Sequence, residues 1–226
     1  MPPPLEERTE TPLTIFGGTF DPIHLGHLHA IAQIRKQFNL GELLVVPAGE
    51  PWQKSDREIA SARDRFKMCK LAFVDEPTVT VSDLEIIREG RTYTMDTVEE
   101  LKRRTESSRA ESNGSNRVIN LVIGADSLKT LHTWERYEEL IKAVHIVVCA
   151  RPEYPILADQ LPFGGFTLIE VDALPISSTM VRERLKSEVS AADLLPDAVL
   201  RYIVEHRLYG ASQAQGVREL PPYDSL

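Results

Sequence analysis

Gly17-Gly18-Thr19-Phe20-Asp21-Pro22-Ile23-His24-Leu25-Gly26-His27 is the stretch that decides the fold, because it joins an apolar run to a segment with helical periodicity. The apolar run covers residues 13–16, and apolar side chains recur at helical spacing after His24. Glycines permit a sharp turn and let ligand oxygens approach backbone amides, and the open N–H groups at a helix N-terminus attract anions. The stretch therefore predicts a strand, a phosphate-binding turn and the beginning of a helix.

Two histidines of this stretch, His24 and His27, stand three residues apart at the start of the predicted helix. Side chains at this spacing lie on one helical face, so both imidazoles can contact the same ligand, and Gly26 leaves room for it. Taken alone, the pair also fits a structural role or part of a metal site. The dinucleotide-binding G-x-G-x-x-G motif and the G-K-[ST] P-loop are both absent from the sequence.

A second motif, Ile176-Ser177-Ser178-Thr179-Met180-Val181-Arg182, follows Pro175 and opens another helix-period segment. The hydroxyl groups of Ser178 and Thr179 can simply cap that helix. Alternatively, the hydroxyls, the open amides and Arg182 form a second anion-binding site. A nucleoside triphosphate has a long anionic tail, which two helix N-termini facing each other could hold.

Both stretches resemble the (H/T)-x-G-H and I-S-S-T-x-x-R signatures of the nucleotidyltransferase superfamily, and they occur in its order. The resemblance implies catalytic roles for His24, His27 and Arg182. The histidines would contact ATP phosphates and stabilise the charge that develops as pyrophosphate leaves. The ATP contacts implied for the two stretches are Gly17, Gly18, Thr19, Phe20, His24, Gly26, His27, Ile176, Ser177, Ser178, Thr179 and Arg182.

Apolar runs rich in Val and Ile alternate with helix-period segments along the chain. The predicted strands are 13–16, 43–46, 79–81, 118–123, 144–149 and 167–171, and the predicted helices are 25–38, 61–74, 95–105, 127–142, 178–187 and 196–206. The alternation predicts an α/β fold with a doubly wound parallel sheet. Together with the resemblance, this alternation predicts a Rossmann-like nucleotidyltransferase fold with C-terminal helices. Ligands bind beyond the strands' carboxyl ends near the topological switch point, so the motifs are expected to converge there.

Length and composition favour one domain. The 226 residues are 42% hydrophobic, enough for one sizeable core, which we expect within residues 12–210. Residues 1–11 and 211–226 are predicted to be disordered tails, and 106–116 a flexible insertion.

Charge and cysteine content narrow the function classes. The net charge of −8 argues against a general nucleic-acid binder, and no apolar run is long enough for a membrane span. Cys69 and Cys149 form no C-x-x-C motif, and the N-terminal residues lack a secretory pattern. A cytoplasmic location is therefore expected.

Three further blocks resemble elements of bacterial nicotinate-mononucleotide adenylyltransferases. The loop Pro47-Ala48-Gly49-Glu50-Pro51-Trp52-Gln53-Lys54 is similar to P-x-x-x-P-x-x-K, whose lysine reaches substrate phosphate. An ordinary surface loop is the alternative. Trp52-Gln53 replaces the Pro-His of many members, so no role is carried over for that histidine.

The second block, residues 82–97, is similar to S-D-x-E-x-x-R-x-G-x-[ST]-Y-T-x-D-T. The resemblance implies that Thr94 lies at the nicotinate end of the substrate. Thr97 or Asp96 is expected to cap the following helix.

The third block, from Ile123-Gly124-Ala125-Asp126 to Trp134, is similar to I-G-x-D-x-L-x-x-L-x-x-W. Gly124 and Asp126 are implied ATP contacts. The Asp126 carboxylate can bind ribose hydroxyls, organise a magnesium-bound phosphate or cap a helix. Trp134 either stacks on the pyridine ring or packs in the core. The implied nicotinate mononucleotide contacts are Gly18, Lys54, Thr94 and Trp134.

The resemblance, over roughly residues 13–209, implies a reaction of NAD biosynthesis. ATP and nicotinate mononucleotide would give deamido-NAD and pyrophosphate. The attacking phosphate is already an anion because its second pKa is about 6, so positioning and charge stabilisation must supply the rate. Mg²⁺ is expected to enter with ATP, without a dedicated metal site in the protein.

Two alternatives stay open at this point. The acceptor could be nicotinamide mononucleotide or another phosphorylated compound such as phosphopantetheine. The chain could instead be a sensor that binds ATP or NAD without turnover. The sequence leaves open whether the chain forms a homo-oligomer, and neither a nucleic acid nor a membrane is an expected partner.

Overall fold

A parallel sheet forms the centre of the molecule in the computed structural model, which describes residues 11–50, 59–109, 117–150 and 166–212. Within these residues the sheet has six strands in the order β3-β2-β1-β4-β5-β6, all parallel. They are β1 (Leu13–Gly18), β2 (Glu42–Pro47), β3 (Val79–Val81), β4 (Ile119–Gly124), β5 (His145–Ala150) and β6 (Phe166–Glu170).

Helices cover both faces of this sheet. They are α1 (Leu25–Gln37), α2 (Ala62–Ala72), α3 (Thr94–Arg109), α4 (Ala125–Thr130), α5 (Tyr137–Ala143), α6 (Ser178–Lys186) and α7 (Asp197–Glu205), with short 3₁₀ helices at Leu131–Thr133 and Leu208–Gly210. None of the helices in the described ranges is long and apolar enough to cross a membrane.

The core has two layers, one on each face of the sheet. Neighbouring strand residues alternate between them: Val45 packs with α1, α2, α6 and α7, whereas Leu44 and Val46 pack with α3, α4 and α5. Successive side chains of a strand point to opposite faces, so a strand covered on both faces reads as a continuous apolar run. The predicted doubly wound α/β class is confirmed.

The strand order places the topological switch point between β1 and β4. The chain leaves β1 towards β2 and β3 and leaves β4 towards β5 and β6, so a crevice opens beyond the carboxyl ends of β1 and β4. The first motif follows β1 and the Gly124 block follows β4. The predicted convergence of these two motifs is therefore a consequence of the topology.

The predicted helix 127–142 is wrong. It is replaced by α4, the 3₁₀ turn Leu131–Thr133 and α5. Trp134 is extended, with φ −75° and ψ 145°, and Arg136 lies in the left-handed region with φ 55°. Leu128, Leu131 and Leu140 all pack in one core layer, so the apolar spacing looks continuous across the break.

Two smaller differences concern α3. The helix begins at Thr94, so neither Asp96 nor Thr97 is its cap; the Thr97 hydroxyl instead donates to Glu85 Oε1 at 2.8 Å. The helix also continues through Arg109 into the predicted insertion 106–116. Residues 110–116 of that insertion, and most of both predicted tails, lie outside the described residues.

Candidate active site

The turn after β1 is shaped by close packing between its glycine and its aromatic side chain. Phe20 is buried and has a φ of 50°, which turns its ring back over the strand end. A Cβ on Gly18 would lie 2.9 Å from that ring, so only glycine fits there. A Cβ on Gly17 would meet nothing within 4 Å. Gly17 thus leaves the end of β1 open, whereas Gly18 is required by packing.

The two histidines stack against each other at the start of α1. Their ring centroids are 3.7 Å apart, and the backbone N–H of His24 donates to Nδ1 of His27 at 3.2 Å. In the neutral form of His27, the proton is therefore on Nε2. The edge of Phe20 supports His27 at a centroid distance of 5.2 Å. The spacing prediction that both imidazoles share one face is confirmed.

Burial changes the protonation of His24. The side chain is 6% exposed, and this burial lowers its pKa to about 4. His24 is therefore a neutral imidazole at physiological pH. Its Nδ1 is buried and has no hydrogen-bond partner among the described residues.

Gly26 makes room for His24 itself. A Cβ at this position would lie 3.0 Å from His24 Nδ1 and 3.5 Å from the Cβ of Ile176. The prediction that Gly26 leaves room for the ligand is therefore corrected, because the imidazole ring of His24 lies in this space.

The second motif docks directly on the first. Ser177 caps α6 by accepting from the Met180 N–H at 3.2 Å, so the cap is neither Ser178 nor Thr179, to which the capping interpretation assigned this role. The Ser178 hydroxyl instead donates to the carbonyl of Pro22 at 2.9 Å. The hydroxyls of this motif therefore serve two different purposes.

Arg182 links the two motifs most tightly. Its Nη1 donates to the carbonyl of Asp21 at 2.7 Å and lies 3.6 Å from Asp21 Oδ2. Its Nη2 donates to Thr179 Oγ1 at 3.2 Å. The guanidinium group is thus held at the edge of the turn that contains the histidines.

These contacts enclose a small cleft. It holds about 180 Å³ and is lined by Thr19, Phe20, Asp21, His27, Ser178, Thr179 and Arg182. Whole ligands of drug size occupy about 300–1,000 Å³. Hydroxyl, imidazole and guanidinium donors suit an anion, and the volume suits part of a nucleotide such as its phosphates.

Two buried charged residues at this cleft were not predicted as part of the site. Asp21 is 1% exposed, and its Oδ1 accepts from the Ala60 N–H at 3.0 Å and from the Tyr209 hydroxyl at 2.8 Å. Arg65, on α2, is also 1% exposed. Burial lowers the pKa of Arg65, and the nearby Asp21 carboxylate opposes that shift.

Arg65 ties three loops together through backbone carbonyls. Its Nη1 donates to Thr19 O at 2.8 Å, its Nη2 to Gly49 O at 2.7 Å and its Nε to Ala60 O at 3.1 Å. A sequence signal for its burial existed, because Arg65 is on the helical face of the buried Met68 and Cys69.

The Gly124 block lies at the end of the neighbouring strand. A Cβ on Gly124 would meet nothing within 4 Å, so this strand end is also open. Gly124 is the N-cap residue of α4, and Asp126 is exposed in the first turn. The interpretation of Asp126 as the helix cap is therefore wrong.

Thr94 and Trp134, which were predicted to contact the pyridine ring, are not among the residues that line the cleft. Thr94 is the first residue of α3, and Trp134 is half-buried against the core layer beneath α3 and α5. Arg136 joins the turn after Trp134 to α3 through Glu99, at 2.6 Å, and also pairs with Glu139 at 2.7 Å. Lys54, with Trp52 and Gln53, lies outside the described residues.

The comparisons with known proteins agree on one family. A family model described as cytidylyltransferase-like matches residues 15–184. A relative from Frankia casuarinae, named probable nicotinate-nucleotide adenylyltransferase, is 42% identical over 198 residues, or 87% of this chain and 100% of that protein. One of the same name from Streptomyces coelicolor is 41% identical over 193 residues, covering 85% and 98%. The chain belongs to the nicotinate-nucleotide adenylyltransferase family.

Solved structures share the fold. Plasmodium falciparum nicotinic acid mononucleotide adenylyltransferase, complexed with NaAD, has a TM-score of 0.72 and covers 89% of this chain and 98% of its own. Its sequence identity is 21%, so this likeness concerns the fold. The predicted nucleotidyltransferase architecture is confirmed.

Membership of the nicotinate-nucleotide adenylyltransferase family also confirms the predicted enzyme class, a nucleotidyltransferase. Within the described part of the chain, no group of three or more His, Cys, Asp or Glu residues could hold a metal ion. The donors that do converge at the cleft are positively charged or neutral, which is the composition expected around phosphates.

Proposed function

We propose that this chain transfers the adenylyl group of ATP to nicotinate mononucleotide, giving deamido-NAD and pyrophosphate. The observation that carries the proposal is the direct contact between the two signature motifs, where Arg182 donates to Asp21 O at 2.7 Å and Ser178 donates to Pro22 O at 2.9 Å. This contact supports a single phosphate site made from both motifs.

The ATP phosphates would bind between the N-termini of α1 and α6. Gly17 and Gly124 would allow the nucleotide to approach the ends of β1 and β4, while Gly18 would shape the turn by accommodating the Phe20 ring. The α-phosphate would lie at His24 and His27, and the β- and γ-phosphates at the hydroxyls of Ser178 and Thr179 and the guanidinium group of Arg182. Asp126, exposed beyond β4, would bind the ribose hydroxyls.

The reaction would be a direct displacement. A phosphate oxygen of nicotinate mononucleotide attacks the α-phosphorus, the bond from that phosphorus to the oxygen bridging the β-phosphate breaks, and pyrophosphate leaves with that electron pair. The attacking phosphate needs no general base near neutral pH, because its second pKa is about 6. The protein therefore contributes positioning and charge stabilisation.

The histidines and Arg182 would divide this stabilisation. His24 is neutral because burial lowers its pKa to about 4, so it acts through an N–H donor rather than through a positive charge. Its Nδ1 is closed off from solvent, which makes Nε2 the donor. Arg182 supplies the permanent positive charge for the pyrophosphate.

Mg²⁺ would arrive as part of the MgATP substrate. The lining of the cleft fits phosphate better than a metal ion, since hydroxyl, imidazole and guanidinium groups predominate over carboxylates there. Bound in this way, Mg²⁺ would neutralise phosphate charge. Its ligands would be phosphate oxygens and water.

The acceptor would bind with its pyridine ring near Thr94 and Trp134. An exposed part of the Trp134 ring offers an aromatic face for stacking, while its buried part packs against the core. Gly18 and Lys54 are the other two proposed contacts of nicotinate mononucleotide. Thr94, at the start of α3, is where open backbone amides could read the nicotinate carboxylate.

A reducing, cytoplasmic setting is part of the proposal. Cys69 and Cys149 are free thiols. Burial raises the pKa of Cys149 to about 12, so this thiol stays protonated and unreactive. Whether the chain forms a homo-oligomer stays open, and the lack of a nucleic-acid partner stays a prediction.

The test is pyrophosphate release with MgATP, comparing nicotinate mononucleotide, nicotinamide mononucleotide and phosphopantetheine at equal concentrations. A strong preference for the nicotinate compound is the expected result. Equal use of both pyridine nucleotides would make the enzyme dual-specific, and preference for phosphopantetheine would overturn the acceptor. No release with any acceptor, from folded protein that still binds ATP, would replace the proposal with the sensor interpretation.

A further inference from the structure

The C-terminal end of the described chain reaches the active site through one phenol group. Tyr209 lies in the 3₁₀ turn Leu208–Gly210, and its hydroxyl donates to Asp21 Oδ1 at 2.8 Å, across 188 residues of sequence. Burial, together with the neighbouring carboxylate, raises the phenol pKa of Tyr209, so the group remains a neutral hydrogen-bond donor.

The backbone around Tyr209 adopts conformations that favour glycine. Arg207 has a φ of 52°, Tyr209 a φ of 59° and Gly210 a φ of 74°. Left-handed backbone is rare for residues with side chains and costs about 1 kcal/mol or more per residue. Arg207 and Tyr209 both adopt this conformation, so tertiary contacts must stabilise it. The hydrogen bond from Tyr209 to Asp21 is one such contact.

Asp21 connects this phenol to the catalytic arginine. Its Oδ1 is anchored by Tyr209 and by the Ala60 N–H, while Oδ2 is buried, lacks a hydrogen bond within the described residues and lies 3.6 Å from Arg182 Nη1. The same Nη1 donates to the Asp21 carbonyl. A carboxylate that is 1% exposed depends on its donors for its orientation, so removing one of them frees it to turn.

We infer that Tyr209 is a positioning residue that orients Arg182 through Asp21, so that the C-terminal turn completes the phosphate site. The inference rests on the proposed function insofar as Arg182 contacts the ATP phosphates. Tyr209 itself touches no substrate in this scheme. Its effect therefore has to pass through Arg182.

Tyr202 provides a matched control. Its hydroxyl also donates to a carboxylate oxygen, Asp64 Oδ1, at 2.9 Å, and it too packs against the core layer around α7. Asp64 accepts from Ser61 at the start of α2, away from the cleft. Replacing either tyrosine by phenylalanine removes one phenol and one hydrogen bond to a carboxylate, and only the Tyr209 bond leads to Arg182.

The experiment measures steady-state pyrophosphate release from the full chain with MgATP and nicotinate mononucleotide. Tyr209→Phe is expected to lower kcat about tenfold, the effect of a lost hydrogen bond to a charged group, with little change in KM for nicotinate mononucleotide. Tyr202→Phe is expected to keep kcat within about twofold. Urea unfolding of both variants measures the loss of stability, so that a change in kcat can be separated from general destabilisation.

A double mutant decides whether Arg182 carries the effect. In an Arg182→Ala background, Tyr209→Phe is expected to cause no further loss of kcat, because the group that it positions is gone. An undiminished tenfold loss in that background, or equal losses in Tyr202→Phe and Tyr209→Phe, would overturn the inference.

Failure of the proposed function would look different. The unmodified chain would then release no pyrophosphate, and the variants would be compared by calorimetric binding of a non-hydrolysable ATP analogue. Weaker analogue binding by Tyr209→Phe alone would uphold the positioning role. Equal binding by the two tyrosine variants would refute it.

Discussion

The two ends of the active site are held together by different physical means. The phosphate end, residues 17–27 with 176–182, is supported by Asp21 and Arg65, each 1% exposed and bonded to backbone groups. The acceptor end, Thr94 and Trp134 with their surroundings, is held by partly exposed ion pairs of Arg136. Buried polar groups are costly to leave unpaired, whereas exposed pairs contribute little and are screened by salt. The phosphate end should therefore be rigid and the acceptor end adjustable.

This difference matches the demands of the reaction. Charge develops at the phosphates in the transition state, and donors stabilise it best when they need no reorganisation. The pyridine ring undergoes no chemistry, so its site needs only to bind and orient the acceptor. The contrast can be tested by experiments whose expected effects run from large to small.

The buried arginine provides the strongest test. Arg65→Met keeps the apolar stem but removes the donors to Thr19 O, Gly49 O and Ala60 O. Leaving these carbonyls without their partner should lower the free energy of unfolding by about 3–5 kcal/mol in urea titrations. Arg63→Met, at an exposed position of the same helix, should change it by less than about 0.5 kcal/mol. Similar losses in both variants would show that the buried hydrogen bonds of Arg65 do not hold the phosphate end rigid.

The histidine pair tests the chemistry of the same end. His27→Ala and His24→Ala should each lower kcat about a hundredfold, as loss of a donor to a developing charge does. Circular dichroism should show folded protein in both cases. His29, also on α1, instead bonds the Asp172 carbonyl at 2.8 Å, and His29→Ala should stay within about threefold of the unmodified kcat. A folded, fully active His27→Ala would remove the histidines from the mechanism.

The buried, neutral state of His24 predicts a pH dependence of stability. Burial lowers its pKa from 6.5 to about 4, so between these values the unfolded chain binds a proton that the native protein does not. Native stability is then present above pH 6.5 and is lost as the pH falls towards 4. From pH 7 to 5, this one group should cost about 2 kcal/mol of unfolding free energy.

The measurement compares urea unfolding of the unmodified chain and of His24→Gln at both pH values. The unmodified chain should lose about 2 kcal/mol more than the variant, because the other titrating groups cancel in the difference. His132→Gln, at an exposed position, should behave like the unmodified chain. Parallel losses in the unmodified chain and His24→Gln would mean that water reaches this ring and that the phosphate end is less closed than described.

The same contrast explains which features could be predicted from the sequence. The turn after β1 is local, so glycines and helical spacing predicted it. The cap of α6 is local as well, but Ser177 makes it in place of Ser178 or Thr179, the adjacent hydroxyls that the sequence favoured. Asp21 and Arg65 were missed as supports because their partners are distant in sequence: Tyr209 is 188 residues from Asp21, and Thr19 is 46 residues from Arg65. Local periodicity contains no information on such pairs.

The failed helix 127–142 has a cause of the same kind. The apolar spacing of Leu128, Leu131 and Leu140 is compatible with one long helix. The chain breaks instead at Trp134 and Arg136, and Arg136 pairs with Glu99, 37 residues earlier in the sequence. The left-handed conformation of Arg136 thus coincides with a tertiary ion pair, and the local apolar pattern predicts neither of them.

The smallest effect is expected at the acceptor end. Arg136→Ala removes the pair with Glu99 that joins the turn after Trp134 to α3, together with the local pair to Glu139 on α5. Because these side chains are at least partly exposed, KM for nicotinate mononucleotide should rise only about two- to threefold, with kcat nearly unchanged. Arg104→Ala also breaks an exposed pair, with Glu100 on α3 at 2.8 Å, but that pair does not reach the turn, and KM should stay unchanged.

A single salt titration distinguishes the phosphate end of the active site from the acceptor end. About 0.5 M NaCl screens exposed pairs but barely affects buried ones, so it should raise KM of the unmodified chain towards that of Arg136→Ala. The effect of Tyr209→Phe on kcat should persist at the same salt concentration, because the Asp21 carboxylate is buried. If salt removed the Tyr209 effect and left the Arg136 effect intact, the assignment of rigidity to the phosphate end and of adjustability to the acceptor end would have to be reversed.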